Sequence, residues 1–279
     1  MREILTPQIR DALFNLCVDT ATRLPERVRA DLKESERREP SPQGRGVLNL
    51  LLENERLARD QKIPLCQDAG LPQVILEIGQ EVRLTGPPLK EEVEAGVREA
   101  YAKAFLRQSG CHPLNRANLR AEIPVSLETL IVPGDKVMVY TLAKGGGCDN
   151  RSSLFNLPPT AELPLILEKV TETVINAGPD ACPPFYLGVN IGGTFESAPR
   201  YARRALLDIV WGPPPQGEEA ELAERVLETL NASGIGPMSV GGRATALGVR
   251  VTLRPTHIAS LPVAVNLCCH SFRPGRGEL

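Results

Sequence analysis

Three cysteines of this chain could bind a metal, because each lies beside a loop or strand end with proline, glycine or polar neighbours. They are Cys66 in KIPLCQDAGLP, Cys182 in ACPPFYLGVNIGGT and Cys269 in NLCCH. The chain has seven cysteines in all, and this odd number argues against a closed disulfide framework. No C-x-x-C pair is present, and three scattered thiolates suit an iron–sulfur cluster better than a zinc site, which is normally closed by four ligands.

A four-iron cluster held by only three cysteines would leave one iron open to water or substrate. Such an iron can act as a Lewis acid, so the cofactor would take part in catalysis as well as in structure. Taken singly, however, a cysteine is more often a small buried apolar residue than a ligand. The prediction therefore depends on three cysteines sharing similar surroundings.

Two segments are rich in glycine: the first follows a predicted strand, and the second follows the helix predicted over 218–233. The segment KGGGCDN, residues 144–150, fits neither a Walker A loop nor a dinucleotide fingerprint, so nucleotide binding is disfavoured. Its backbone N–H groups could instead approach a carboxylate or phosphate closely, although a flexible turn explains the glycines equally well. The segment GIGPMSVGGRATALGV, residues 234–249, is explained at least as well by turns between strands.

The elements that must position these residues alternate between helices and strands. Apolar spacing predicts two helices within residues 7–36 broken near Pro25, and further helices over 46–61, 90–108, 160–178, 197–210 and 218–233. Residues 38–46 are predicted as a polar loop. Runs rich in β-branched residues predict strands at 73–79, before KGGG, after Cys182 and through the last third of the chain. The pattern predicts an α/β fold with mixed sheets flanked by helices.

Length and charge limit the classes of protein that fit. With 279 residues, no internal repeat and no clear linker, a single α/β domain over 1–279 is expected, and it needs no disulfide to fold. Lys and Arg number 32 against 34 Asp and Glu, so overall charge indicates neither a nucleic-acid nor a membrane partner. The N-terminus lacks a secretory apolar core and no run of about 20 apolar residues occurs, so a cytoplasmic location is expected.

Four motifs, in order from about residue 47 to 270, resemble the iron–sulfur hydro-lyases comprising class I fumarases and L(+)-tartrate dehydratases. The family's Cys-Gln-Asp-Thr-Gly box resembles CQDAG at 66–70, and its Gly-Gly-Gly-Ser-Glu-Asn loop resembles GGGCDN at 145–150. Its Cys-Pro-Pro segment before Ile-Gly-Gly-Thr resembles residues 182–194. Its C-terminal stretch resembles GIGPMSVGGRATALGV together with THIASLPVAVNLCCH. The fold implied is that of a class I fumarase N-terminal domain.

The resemblance implies a [4Fe–4S] cluster bound by three cysteines and a set of residues around its open iron. The implied cluster ligands are Cys66, Cys182 and Cys269, with Cys268 the alternative to its neighbour. Asp68 and His257 resemble active-site polar residues, and Asp68, two residues after a ligand, could orient a hydroxyl or water there. Gln67 is a possible hydrogen-bond donor, Gly146 corresponds to a substrate-carboxylate contact through its N–H, and Arg107 resembles an arginine that clamps a carboxylate. His112 and His270 have no motif support and are taken as structural.

The implied reaction is reversible hydration of fumarate or a related dicarboxylate, with L(+)-tartrate dehydration as the alternative. In the family, further catalytic groups belong to a C-terminal domain or a β subunit. The sequence stops soon after Cys269, so an incomplete α subunit is expected. We expect it to pair with a β subunit, as a dimer of heterodimers. Two departures matter: Ala69 replaces a threonine, and Cys148 with Asp149 replaces Ser-Glu, so groups near the substrate are expected to be missing. A non-catalytic iron–sulfur or thiol redox sensor is the second alternative; a structural zinc protein ranks below both.

Overall fold

The computed structural model describes residues 1–119 and 123–279 of the chain. The strands found there are β1 (Arg2–Leu5), β2 (Leu71–Gly79), β3 (Val82–Thr85), β4 (Ser126–Val132), β5 (Val137–Lys144), β6 (Ser153–Leu157), β7 (Phe185–Gly193), β8 (Ala246–Thr256), β9 (Leu261–Cys268) and β10 (Pro274–Glu278). The helices are α1 (Thr6–Thr22), α2 (Glu26–Arg38), α3 (Pro42–Gln61), α4 (Leu89–Lys103), α5 (Gly146–Arg151), α6 (Leu163–Ala177), α7 (Ser197–Trp211) and α8 (Gly217–Ala232). The predicted α/β class with mixed sheets and helices is confirmed.

The chain forms two compact units, and neither is a contiguous segment. Unit 1 comprises residues 1–25, 54–146 and 273–279, and unit 2 comprises residues 26–53 and 147–272. The expectation of one domain over residues 1–279 stays a prediction.

Unit 1 is built on a four-stranded sheet in the order β10-β5-β2-β4. Strand β2 runs parallel to β4 and antiparallel to β5, and β10 pairs antiparallel with β5. Apolar residues of α1 and α4 pack against this sheet, and Leu13, Val97 and Val139 are completely buried there. A short parallel pair, β1 with β3, belongs to the same unit. This core supports the loop before β2, and that loop contains Cys66 and Asp68.

Unit 2 is built on a second four-stranded sheet in the order β6-β9-β7-β8. Strand β7 is parallel to β8 and antiparallel to β9. Phe185, Leu187 and Val189 point from one face of β7 into a core shared with α6 and α8, whereas Gly188 faces the backbone of α7. Because β7 is covered on both faces, it is an almost continuous apolar run. The segments that carry Cys182 and Cys269 lie at the ends of its strands.

Several predicted boundaries are corrected by the structure. The helix predicted over 90–108 ends at Lys103, because Phe105 adopts a left-handed φ of 53° and the Leu106 N–H turns back to the Tyr101 carbonyl at 2.8 Å. The predicted loop at 38–46 is shorter, since α3 begins at Pro42 with the Ser41 hydroxyl accepting the Gly44 N–H at 3.1 Å.

The residues of KGGGCDN are not only a loop, because α5 begins at Gly146. Strand β6 follows α5 directly, where the sequence predicted only a return towards a helix. No helix within 1–119 and 123–279 is both long and apolar enough to cross a membrane.

Candidate active site

The loop that contains the first predicted ligand, residues 66–70, is called the Asp68 loop here and belongs to unit 1. It is anchored at its start by Leu65, whose N–H donates to the Ala21 carbonyl at 2.8 Å and whose carbonyl accepts from the Asn54 amide at 3.0 Å. Cys66 and Asp68 are half-buried, and Gln67 is exposed. The loop therefore presents a thiol, an amide and a carboxylate at or near the surface of unit 1.

Both carboxylate oxygens of Asp68 accept a backbone N–H. The Gly70 N–H donates to Oδ1 at 2.9 Å, and the Gly146 N–H donates to Oδ2 at 2.8 Å. The structure thus brings together two of the predicted site residues, Asp68 and Gly146. It also shows that the Gly146 N–H already has an anionic acceptor, so a substrate carboxylate would have to compete with Asp68 for it.

Two buried polar side chains hold the backbone of the Asp68 loop, and neither belongs to a motif that the sequence analysis identified. Arg273 donates through one guanidinium nitrogen to the Asp68 carbonyl at 2.6 Å. The Tyr101 hydroxyl lies 3.1 Å from the Ala69 carbonyl oxygen and 2.9 Å from that of Gly70. Burial is the largest effect that raises the pKa of the Tyr101 hydroxyl, which therefore stays protonated and remains a donor.

Gly70 is required by the close approach of this loop to β5. Its φ is +81°, and a Cβ built there would lie 2.8 Å from the Ala143 carbonyl carbon and the Lys144 nitrogen. Backbone atoms of a central strand cannot move aside cheaply. A glycine is therefore needed two residues after Asp68 for both conformational and steric reasons.

In unit 2, Cys182 lies at the end of a short 3-10 turn formed by residues Gly178–Ala181. Its own backbone is left-handed, with φ 56° and ψ 68°, and the Pro183–Pro184 bond that follows is cis. The Pro183 carbonyl accepts the Met238 N–H at 2.8 Å, and Nδ1 of His270 lies 3.1 Å from the Cys182 carbonyl oxygen. His270 therefore contacts the backbone of one predicted ligand while directly following another in sequence.

The adjacent cysteines of unit 2 differ in accessibility. Cys268 is the last residue of β9 and is 1% exposed, whereas Cys269 is half-buried in the loop that follows. Cys148 is 2% exposed, and its thiol is in contact with those of Cys268 and Cys269. Hydrogen bonds from Cys148 and Cys268 lower the pKa of the Cys269 thiol well below its ordinary value. These differences favour Cys269 over Cys268 as a ligand.

Only one glycine of KGGG is sterically required. A Cβ at Gly147 would lie 2.5 Å from the Asp180 carbonyl oxygen, in the turn before Cys182, whereas the nearest atoms to a Cβ at Gly145 and Gly146 belong to the Asp68 carboxylate, at 3.2 and 3.8 Å. The explanation of this segment as a flexible turn therefore does not account for Gly147. Its small size lets α5 pack directly against the Cys182 turn, within unit 2.

The two remaining predicted site residues are exposed. His257 lies in the turn between β8 and β9 of unit 2, where its Nδ1 accepts the Ala259 N–H at 3.1 Å. Arg107 belongs to unit 1 and lies in the loop after α4, not on a helix as predicted. In the described part of unit 1, Arg107 makes no hydrogen bond or ion pair with Asp68.

Ala69, which stands where the family has a threonine, is 3% exposed and packs in the apolar core of unit 1, where it lines a small cavity with Cys17 and Thr141. Cys148 is likewise buried, in unit 2. The expectation that groups near the substrate are missing at these two departures stays a prediction.

The cysteines fit the donor set that an iron–sulfur cluster needs. None of the seven, which all lie within the described residues, forms a disulfide, and Cys66, Cys182 and Cys269 are half-buried, in contrast to the buried Cys17, Cys148 and Cys268. Cys111, the other half-buried cysteine, lies in the loop after α4. Within the described part of either unit taken alone, no three His, Cys, Asp or Glu side chains are grouped so as to hold a metal ion.

An α/β chain that presents accessible cysteines and an anchored aspartate beside a glycine turn has the features of an iron–sulfur hydro-lyase. Comparison with known families supports this class. The model of the fumarate hydratase (fumerase) family matches residues 10–278, and the chain belongs to that family. The prediction of a hydro-lyase of the class I fumarase type is thereby confirmed.

Individual relatives match along nearly the whole chain. One, from Methanocaldococcus jannaschii and provisionally named L(+)-tartrate dehydratase subunit alpha, is 34% identical over 272 residues, covering 95% of this chain and 95% of the relative. The L(+)-tartrate dehydratase alpha subunits of Escherichia coli K12 and Shigella sonnei are each 28% identical, over 96% of this chain and 89% of theirs. Family membership implies the iron–sulfur class of hydro-lyases.

Proposed function

We propose that this chain is the α subunit of an iron–sulfur hydro-lyase that dehydrates L(+)-tartrate and is completed by a β subunit. The observation that carries the proposal is the match, over 95% of both chains, to the relative provisionally named L(+)-tartrate dehydratase subunit alpha. The names of these relatives favour the tartrate alternative over fumarate hydration, which was the first expectation from the sequence. Fumarate, with malate as its product, is the second candidate substrate, because the family model describes fumarate hydratase.

The proposed cluster ligands are Cys66, Cys182 and Cys269. They are accessible cysteines in three of the four matched motifs, and each lies at a loop or turn with a defined backbone conformation. A [4Fe–4S] cluster bound by three cysteines supplies a Lewis-acid iron when it is present. Support for a cluster therefore comes from the chemistry and accessibility of the donors, together with membership of the family.

The remaining proposed residues act on the two ends of a dicarboxylate and on its protons. Dehydration removes a hydroxyl group from one carbon and a proton from its neighbour. Asp68, whose oxygens accept N–H groups from Gly70 and Gly146, is held in one orientation, in which its carboxylate can accept a hydrogen bond from the substrate hydroxyl. Gln67 is exposed beside it and can donate to the same substrate.

His257 is proposed to transfer a proton. Its Nδ1 accepts the Ala259 N–H at 3.1 Å, which leaves Nε2 as the ring nitrogen that can face a substrate or a partner subunit. Arg107 is proposed to clamp one substrate carboxylate through its planar guanidinium, and the Gly146 N–H to contact a carboxylate when it is released from Asp68. Exposure of His257 and Arg107 leaves both side chains accessible to a substrate or a partner subunit.

The first experiment measures the cluster. The chain, produced with its β subunit and reconstituted anaerobically with ferrous iron and sulfide, is expected to bind about four irons and to show broad iron–sulfur absorption. Replacing Cys66, Cys182 or Cys269 by serine should remove most of this iron, while Cys111→Ser, a matched change at a half-buried cysteine, should not. Tight zinc binding without iron uptake would contradict the cluster.

The second experiment measures turnover. L(+)-tartrate, fumarate and malate are supplied to the chain with and without the β subunit, and water addition or loss is followed for each. We expect turnover only with both subunits and the highest kcat/KM for L(+)-tartrate. Full turnover by the chain alone would contradict the need for a β subunit, and absence of any hydro-lyase activity with both subunits would contradict the proposed function.

A further inference from the structure

The strongest unassigned polar contacts in unit 1 converge on the main chain of the Asp68 loop. Arg273 is 3% exposed and Tyr101 is 2% exposed, yet both direct their donors at carbonyl groups of this loop. Packing alone would not require a guanidinium or a hydroxyl at these positions, because burying an unpaired charge or polar group is costly. The contacts therefore indicate that these two side chains hold the backbone of the loop in place.

Together the two donors fix three successive carbonyls. Arg273 holds the Asp68 carbonyl at 2.6 Å, and the Tyr101 hydroxyl lies 3.1 and 2.9 Å from those of Ala69 and Gly70. Rotation of the peptide groups at 68–70 would break these bonds. It would also move the Gly70 N–H away from Oδ1 of Asp68, which it meets at 2.9 Å.

The anchors come from the ends of elements that belong to the core of unit 1. Tyr101 lies in the last turn of α4, and Arg273 immediately precedes β10, which pairs with β5. A rigid scaffold that fixes a reacting group is the arrangement expected where small displacements reduce the rate strongly. The small cavity lined by Cys66 and Ala69 is also lined by Tyr101 and Arg273, so these residues lie together behind the loop.

We propose that Arg273 and Tyr101 are positioning residues that fix the orientation of the Asp68 carboxylate for the hydro-lyase reaction. The proposal rests on the proposed function for its catalytic consequence, but the positioning itself can be measured without turnover. Neither residue is proposed to touch the substrate. Their effect is exerted through the backbone of residues 68–70.

The test compares Arg273→Gln and Tyr101→Phe with matched controls in unit 1. Arg276→Gln removes an exposed arginine from β10, three residues further on, where its guanidinium lies over the Tyr140 ring. Tyr140→Phe removes another buried tyrosine hydroxyl, one that donates to Glu77 at 3.2 Å. Tyrosine to phenylalanine keeps the ring, so Tyr101→Phe decides the outcome even if Arg273→Gln does not fold.

The first readout is hydrogen exchange of the Gly70 and Gly146 amides in the full chain, labelled selectively with [15N]glycine. In Tyr101→Phe and Arg273→Gln both amides should exchange about fivefold faster or more, the effect of losing roughly one hydrogen bond, and the controls should match the wild type. Exchange unchanged from the wild type in both anchor variants would overturn the proposal.

The second readout is the kinetics of the two-subunit enzyme. We expect kcat to fall by about tenfold or more in the anchor variants while KM changes by less than about twofold, because orientation and not binding is altered. Faster exchange with an unchanged kcat would show that the anchors are only structural and would overturn the proposal. If the wild-type enzyme has no hydro-lyase activity, the proposed function fails, and the exchange data still decide whether the anchors fix the loop.

Discussion

Replacing Gly70 by alanine tests whether the Asp68 loop needs its close approach to β5. The new methyl group would lie 2.8 Å from two backbone atoms of β5, at a residue whose φ is +81°. The left-handed conformation costs an alanine about 1 kcal/mol relative to glycine, and forcing a methyl group into a packed site costs about 1–3 kcal/mol more. We therefore expect Gly70→Ala to lower the free energy of unfolding by about 2–4 kcal/mol.

Gly134→Ala provides a control that separates the two contributions. Gly134 also has a positive φ, of +104°, in unit 1, but a Cβ there meets no atom within 4 Å. In Gly134→Ala the free energy of unfolding should therefore fall only by the cost of the positive φ, about 1 kcal/mol. Urea unfolding of both variants, followed by far-UV circular dichroism with the unfolding slope compared, gives the two values.

A loss in Gly70→Ala no larger than that in Gly134→Ala would refute the steric argument. A loss of the expected size should be accompanied by faster exchange of the Gly146 amide, because a displaced loop moves the Asp68 carboxylate away from it. If Gly70→Ala is destabilised but its Gly146 amide still exchanges slowly, the methyl group is accommodated without moving the Asp68 carboxylate. That result would contradict the coupling between the Gly70 backbone and the orientation of Asp68.

Three further predictions concern the packing of both units. Glu39 is 1% exposed and accepts the Ala244 N–H at 2.7 Å, so Glu39→Gln, which turns an acceptor into a donor, should cost about 2–3 kcal/mol in urea unfolding. Gly147→Ala should lower the melting temperature by several degrees, because its Cβ would lie 2.5 Å from the Asp180 carbonyl oxygen; an unchanged value would contradict that contact. Burial raises the pKa of the Cys17 thiol to about 12 from 9.0, so the unfolded chain loses this proton first and stability falls as the pH rises from about 9 to 12. By pH 11 the free energy of unfolding of the wild type should have fallen by about 3 kcal/mol more than that of Cys17→Ala. Equal pH profiles for the two proteins would contradict the raised pKa of this thiol.

The motifs could be identified, and most helices predicted, from the sequence because both depend on residue type and spacing. The predicted end of α4 was wrong for the same reason. The segment AYAKAFLRQ continues a helical pattern, and no glycine marks the left-handed backbone that Phe105 adopts. Strand β10 has the sequence PGRGE, which argues against a strand, and only its pairing with β5 makes it one. Tertiary contacts decided both cases.

The anchors of the Asp68 loop escaped prediction because they act on carbonyl groups, which every residue type possesses. This also limits what the departure at Ala69 can do. The Tyr101 hydroxyl contacts the main-chain oxygen of Ala69, so the contact does not require the family's threonine at that position. The methyl group itself packs in the core of unit 1. The change from threonine to alanine is therefore compatible with an unchanged orientation of the Asp68 carboxylate. That orientation depends on contacts between the backbone of residues 68–70 and two side chains that lie 31 or more positions away in the sequence.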